Sequence, residues 1–371
     1  MTAKSIKGNT PEEIQSALVK SMEDGYQPTL ACVFLSRMDD ADAVTGIMDS
    51  QNMAVFGAST SQKFSEQGID EDGIVVLLMD MKPANFNIIL KDFRSAASAY
   101  EAASEVGEAG KKSFDRPAFI ISTADITISS ELVIRGLLDK GGKDATVIGG
   151  GAGEHANFQG IVFTNHSKSN CGMISLILDE DNVDVKGVAI SGWKPIGTEK
   201  KITRSESNWV YMIDNEPALD VVQKFLGREI ELSDVEVFPL QVQRTEGKPM
   251  MRPILLWNKE NRSIMLGGPV EEGASFRFSL PPDPEVIDTV IKSATTIKEK
   301  ELPDADAMLI FSCMGRLTSL GPMVSMELDG LAATWNKPLA GFFCLGEYGK
   351  LDNTRPEFHG KTVSWVALKE K

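Results

Sequence analysis

Three times along the chain the same order recurs: an apolar strand that ends in serine, a helix, and a second strand that runs into a turn of small residues. Leu30–Leu35 ends at Ser36, a helix over Ala41–Asp49 carries Val44 and Met48 one turn apart, and Met53–Phe56 runs into Gly57–Ala58–Ser59–Thr60. Ala118–Ile121 ends at Ser122. A helix capped by Ser129 or Ser130 then puts Val133 and Leu137 on one face and stops at Gly141–Gly142, and Ala145–Ile148 runs into Gly149–Glu154. Ala307–Phe311 ends at Ser312, a helix from about Met323 carries Val324, Leu328 and Leu331, and a strand from Pro338 runs into Cys344–Leu345–Gly346–Glu347. A repeat at this scale constrains the fold, because each copy buries one helix face and must lay it on a sheet. The pattern predicts an α/β (α+β) fold of two related halves, with mixed, largely antiparallel sheets flanked by helices. Residues 118–154 and 307–347 should share one strand–helix–strand core.

The segments around these copies give the domain plan. Thr10–Pro11–Glu12–Glu13 has the form of a capping box, and Ile14, Leu18 and Met22 recur every four residues behind it. Phe86–Leu90 reads as a strand and Ala96–Lys112 as a helix. Between the second and third copies, Val185–Ile190, Lys201–Trp209, Val235–Val242, Arg252–Trp257, Ile264–Leu266 and Ser275–Phe278 read as antiparallel strands with polar turns. Pro282–Asp283–Pro284 opens a helix to about Lys300. No low-complexity linker interrupts the chain. The expected division is an N-terminal helix over 1–28, a first domain over 29–214 and a second over 215–371.

A length of 371 residues suits two domains. Lys and Arg number 38 against 53 Asp and Glu, so 38 − 53 = −15. That charge disfavours nucleic acid and anionic membrane as partners. Cys32, Cys171, Cys313 and Cys344 form no CxxC pair. There is no apolar signal core, and no run of about 18 apolar residues. The expectation is a soluble cytoplasmic protein with reduced thiols.

The residues that carry chemistry gather at strand ends in the last hundred positions. Arg316 follows a strand and a glycine, where a guanidinium can clamp a carboxylate through two parallel hydrogen bonds. Glu347, in the turn after Cys344, and Glu154, in the matching turn of the second copy, are equivalent acids suited to an ammonium group. His359 and Lys361 sit just before the last strand and would trim the charge of a pocket. Phe342 or Phe343 would supply its apolar wall. Cys344 lies in the same apolar strand. Lys194, between Trp193 and Pro195, is a further candidate. Gly151–Ala152–Gly153–Glu154–His155–Ala156 fits GxGxxA, but the residues after it read as a strand where a dinucleotide site needs a helix. Three histidines without an i, i+4 pair speak against zinc. Haem needs a single axial ligand, so the count leaves it open, although no CxxCH site is present. There is no GxSxG elbow and no P-loop. The reading is a non-catalytic binding protein. The enzyme alternative is a thiol-dependent hydrolase using Cys313 or Cys344 with His359 as base, and a plain scaffold is the third class.

Taken together, these stretches resemble the FIST domain, a sensory family found in bacteria and, fused to an F-box, in eukaryotes. The resemblance is carried in order by Val55–Thr60 (VFGAST), Ile148–Glu154 (IGGGAGE), Gly192–Gly197 (GWKPIG), Asn215–Leu219 with Phe225–Gly227 (NEPAL…FLG), Phe238–Leu240 (FPL), Gly268–Gly273 (GPVEEG), Cys313–Arg316 (CMGR), Gly341–Glu347 (GFFCLGE) and Phe358–Thr362 (FHGKT). It implies an N-terminal and a C-terminal FIST half and a signalling role through binding of a small metabolite, with amino acids or their relatives as the proposed ligands. Some relatives bind haem as nitric oxide sensors, so non-covalent haem is a cofactor the resemblance allows. Output would come through a separate signalling protein. The chain departs from the family where Ser61–Gln62–Lys63 follows Thr60 in place of a Gly-Glu pair. It departs again where His359–Gly360–Lys361–Thr362 replaces His-Asn-Gln-Thr.

Overall fold

The repeated unit is longer than the sequence pattern alone reveals. In the computed structural model, which describes residues 1–125, 130–154, 158–231, 234, 237–244, 249–351 and 355–371, it runs strand, helix, strand, helix, strand, two-stranded hairpin, strand. The first copy is β1 (Ala3–Gly8), α1 (Pro11–Ser21), β2 (Leu30–Leu35), α2 (Ala41–Asp49), β3 (Ala54–Ser59), the hairpin β4 (Lys63–Ser65) and β5 (Gly68–Asp70), and β6 (Ile74–Met79). The second is β7 (Phe86–Asp92), α3 (Ala96–Ser113), β8 (Pro117–Thr123), α4 (Ser130–Gly141), β9 (Val147–Gly151), the hairpin β10 (Val162–Phe163) and β11 (Lys168–Ser169), and β12 (Gly172–Asp179).

The third copy opens with β13 (Val183–Ile190) and is then interrupted by an insertion. The insertion holds β14 (Lys194–Glu206), β15 (Trp209–Ile213), β16 (Glu216–Pro217), α5 (Ala218–Leu226), β17 (Leu240–Val242), β18 (Met250–Arg252), β19 (Ile254–Asn258), β20 (Ser263–Leu266) and β21 (Ser275–Leu280). The copy resumes with α6 (Glu285–Lys300), β22 (Ala307–Cys313), α7 (Met314–Leu320), α8 (Val324–Trp335), β23 (Leu339–Cys344), the hairpin β24 (Glu347–Gly349) and β25 (Glu357–His359), and β26 (Val363–Glu370).

Each copy builds one sheet in the same order, β1-β6-β2-β3, β7-β12-β8-β9 and β13-β26-β22-β23. The strands flanking the second helix of each copy run parallel, and the other pairs are antiparallel. Each sheet is then extended by a hairpin taken from another copy. β10–β11 adds to β3, β24–β25 adds to β9, and β4–β5 adds to β23. The copies therefore exchange hairpins in a closed ring. The insertion forms a fourth, fully antiparallel sheet ordered β18-β17-β21-β14-β15-β20-β19.

Side-chain alternation explains the layers. Along β2, Cys32 and Phe34 face inward and Ala31, Val33 and Leu35 face outward. Strands buried on both faces read as unbroken apolar runs, which is what the sequence shows. The outward faces are covered by helix pairs. Ile14 and Leu18 lie with Val44 and Met48, Ala103 and Val106 with Val133 and Leu137, and Val286 and Val290 with Leu328 and Leu331. The inward faces of all three sheets meet in one central core, where the Phe342 ring lies 4.9 Å from Phe34 and 5.4 Å from Phe311.

The mixed α/β architecture agrees with the sequence reading, and 118–154 and 307–347 do share the strand–helix–strand core. Several details differ. The helix expected to stand apart at the N-terminus is the first helix of copy one, preceded by a strand that the polar run Ala3–Gly8 did not signal. The residues after Cys313, read as the end of a strand, form α7. Ser129, His155 and positions 235 and 236 of the expected strand lie outside the described residues; the strand there is β17. Among the described residues no helix is long and apolar enough to cross a membrane.

Candidate functional site

A cleft of about 420 Å³ opens between the insertion and the strand ends of the third copy. That volume falls in the range of small-molecule sites. One wall is the insertion, through Arg252, Leu255, Met265 and the turn Gly267–Pro269. The other is Cys313, Met314, the turn Cys344–Gly346 and the segment Phe358–Lys361, with Glu131 of α4 and Phe158 closing the end.

The floor is built around Glu347. As the first residue of β24 it is held between Gly150 of β9 and His359 of β25. Its side chain is fully buried. Oε1 accepts a hydrogen bond from Cys344 Sγ at 3.0 Å, and Oε2 accepts from the Thr362 amide at 3.1 Å and the Thr362 hydroxyl at 2.7 Å. The Cys313 thiol also bonds this carboxyl. Burial outweighs these donors and pushes the carboxyl up to about 7. Cys344 is buried as well; burial first, and then the Glu347 charge, push its thiol well above the usual range. Cys313 and Cys344 are direct partners on the parallel strands β22 and β23, so both side chains leave the sheet on one face. Gly150 makes room for Cys344, since a Cβ there would meet its Sγ at 2.9 Å.

Lys361 is fully buried yet lines the cleft. Its φ is +64°, and its Nζ rests on Gly315, where any Cβ would come within 1.9 Å. The glycine of the CMGR stretch is thus the space into which the lysine of the FHGKT stretch reaches. Across the cleft, the Arg252 guanidinium lies flat on Gly268 (φ +144°) and pairs with Glu131. His359 is 4% exposed. Its Nε2–H donates to the Gly349 carbonyl at 3.0 Å, which fixes the tautomer because a carbonyl only accepts. Burial drives its pKa down to about 4, so the ring is neutral at physiological pH.

The other sequence candidates lie elsewhere. Arg316 is not in the cleft: α7 carries it into the interior, where it is wholly buried and grips Glu327 of α8 through Nε (3.1 Å) and Nη2. The carboxylate it clamps is therefore the protein's own. Phe343 faces outward beneath the helices against Phe64, 5.2 Å between ring centres, and Phe342 points into the central core. Neither lines the cleft, whose apolar wall comes from Phe158, Phe358 and the insertion. Glu154 stands at the junction of copies one and two, beside the Thr60–Gly153 bridge, and does not line this cleft. Lys194 is a surface residue paired with Asp283 at 2.6 Å, an arrangement that contributes little. Cys344, His359 and Lys361 line the cleft, and Glu347 lies beneath it. Sequence reasoning missed Arg252 and Glu131. Gly268, already notable in GPVEEG, was the available signal for Arg252.

The family model described as the FIST N domain matches residues 29–216, and that described as the FIST C domain matches 218–350. The chain belongs to the FIST family. FIST domains are sensory domains of signal transduction proteins. No curated protein matches the chain. The FIST matches meet inside the insertion and leave β1, α1, β25 and β26 outside, although β26 is the strand that β22 and β13 flank. Haem, which the resemblance allowed, does not fit at His359. An axial ligand must present a ring nitrogen to the iron, whereas the His359 ring is enclosed and only 4% exposed. Among the described residues no three His, Cys, Asp or Glu side chains are grouped to hold a metal ion.

The two shifted groups on this floor give the fold a specific pH dependence. As pH falls from 6.5 towards 4, the unfolded chain takes up a proton that folded His359 refuses, so stability falls. As pH rises from 4.5 towards 7, the unfolded chain releases a proton that folded Glu347 keeps, so stability falls in that direction too. Between 4.5 and 6.5 the two slopes cancel. In His359→Gln, whose amide still donates to Gly349, stability relative to wild type should decline by on the order of 3 kcal/mol from pH 4.5 to 7. Urea titrations at a series of pH values measure this, and an unchanged pH profile would contradict it.

Proposed function

We propose that the protein is a cytoplasmic sensor that binds a small anionic or zwitterionic metabolite in the cleft and signals through a separate partner. The observation that carries this reading is the cleft itself. It is largely apolar, and Lys361 lines one wall while Arg252, paired with Glu131, lines the other. Such a site, mostly apolar with a few placed polar groups, is what a small-ligand pocket requires. The carboxylate role falls to Lys361, because it lines the cleft and Arg316 does not. Four free cysteines suit a reducing compartment. Membership of a sensory family supports signalling as the outcome.

The test is a thermal-shift series with amino acids, simple carboxylates and their neutral amides. Carboxylates should raise the melting temperature of the wild type and the amides should not. Lys361→Met, which keeps the length and removes the charge, should weaken carboxylate binding by about 2–5 kcal/mol. Equal shifts from acids and amides, or an undiminished shift in the variant, would remove the anion-binding reading.

A further inference from the structure

The same cleft carries a chemistry that simple binding does not need. Its floor presents two thiols side by side, Cys313 and Cys344, both bonded to one carboxyl and both lining the cavity. A second contact fixes that carboxyl, since Thr362 donates to Oε2 through both its amide and its hydroxyl. The ammonium of Lys361 rests on Gly315, two residues beyond Cys313. A nucleophile, a proton acceptor and a residue that orients the acceptor are thus assembled at the bottom of an anion-accepting pocket, the arrangement by which thiols are activated elsewhere.

We propose that the cleft captures its ligand covalently and reversibly, with Cys313 as the nucleophile, Glu347 as the proton acceptor and a carbonyl carboxylate, an aldehyde or 2-oxo acid, as the ligand class. The proposal rests on the anion-binding reading of the cleft. Cys313 is chosen over Cys344 because it is 6% exposed, whereas Cys344 is sealed at 0%. In the step, the Cys313 proton passes to Glu347 and the sulfur electron pair forms the S–C bond. The C=O π pair moves to oxygen, which takes the proton back from Glu347. The product is a hemithioacetal or hemithioketal. Atoms and charge balance without an oxidant or co-reactant, and the reverse step releases the ligand. Lys361 holds the carboxylate. His359 has no part as the base: burial drives its pKa down to about 4, and the group bonded to both thiols is Glu347. A carboxyl that titrates near neutrality suits the transfer, because it is part-ionised at working pH.

Alkylation of the intact protein by iodoacetate, followed by peptide mass spectrometry, tests this. In that reaction sulfur displaces iodide and the thiol proton again goes to Glu347. Cys171, half-buried beside Phe93 and Asp125 and outside the cleft lining, serves as the internal reference. Cys313 should react about tenfold faster than Cys171, the gain a charged pocket gives an oppositely charged reagent. Glyoxylate should protect it, while acetate, with the same charge and no carbonyl, should protect far less. Glu347→Gln should slow the reaction about 100-fold. If that variant does not fold, the pH–rate profile of the wild type replaces it. Its inflection should fall near 7, set by Glu347, and not in the ordinary thiol range. Reaction of Cys171 first, a rate indifferent to Glu347, or equal protection by acetate and glyoxylate would overturn covalent capture. The neutral reagent iodoacetamide separates the two readings. Rapid, Glu347-dependent labelling of Cys313 by iodoacetamide with no preference for iodoacetate would support the activated thiol while removing the anion site.

Discussion

Expressed apart, residues 1–214 and 215–371 should each fail to fold, and mixed or co-expressed they should give one cooperative unit. The reason is the hairpin ring. The first fragment holds β13, but its eight-pair ladder is with β26, Val183 opposite Glu370 through Ile190 opposite Val363. It also holds β4–β5, whose partner β23 is in the second fragment. The second fragment holds β24–β25, which pairs with β9 of the first. Separation leaves long apolar strands with unpaired edges, the feature that drives aggregation. It also opens the central core, where Phe34 of one fragment packs on Phe342 of the other. The measurement is circular dichroism and urea unfolding of each fragment and of the pair. A cooperative, soluble transition from either fragment alone would show that the ring is not needed. The expected sequence boundary near 214–215 falls close to where the two family matches meet, yet in space the three copies share sheets across it.

How much of this was legible in the sequence depends on element length. The strand–helix–strand cores were readable because six-residue apolar strands and helices with Val, Leu and Met at helical spacing leave a periodic trace. The hairpins left almost none. β4, β5, β24 and β25 have three residues each, too few for a period, and which sheet they join is set by packing between copies. The insertion was readable as antiparallel strands but not as a cleft wall, since Arg252 and Gly268 meet only in three dimensions. Strand ends were the right place to look. Cys344, Glu347, His359 and Lys361 do come together there, because the turn after β23 and the segment before β26 both lie at that end of sheet three. Arg316 does not, because the two residues separating it from Cys313 open a helix and swing its side chain inward. No local signal distinguishes a guanidinium that will meet a ligand from one that will meet Glu327 eleven residues on.

Arg316 accordingly gives the sharpest contrast between a binding role and a structural one. Both it and Glu327 are wholly buried, and the pair joins α7 to α8. The guanidinium lies 5.9 Å from the Trp193 ring centre at the start of the insertion, and Nη1, with no hydrogen-bond partner among the described residues, has that weaker contact nearby. Desolvating two charges costs much of what their attraction returns, but removing one strands the other without water or counter-charge. Arg316→Ala and Glu327→Ala should therefore each destabilise the fold by about 3–5 kcal/mol, read by urea unfolding. The apolar double replacement Arg316→Met with Glu327→Leu removes both charges at similar volume and should lie close to wild type or above it, as such swaps often do. The carboxylate-induced shift should survive in the double variant, since neither residue lines the cleft. A protein that keeps its unliganded stability after Arg316→Ala but loses that shift would return Arg316 to the binding site. It would also mean that the ion pair with Glu327 opens to admit the ligand.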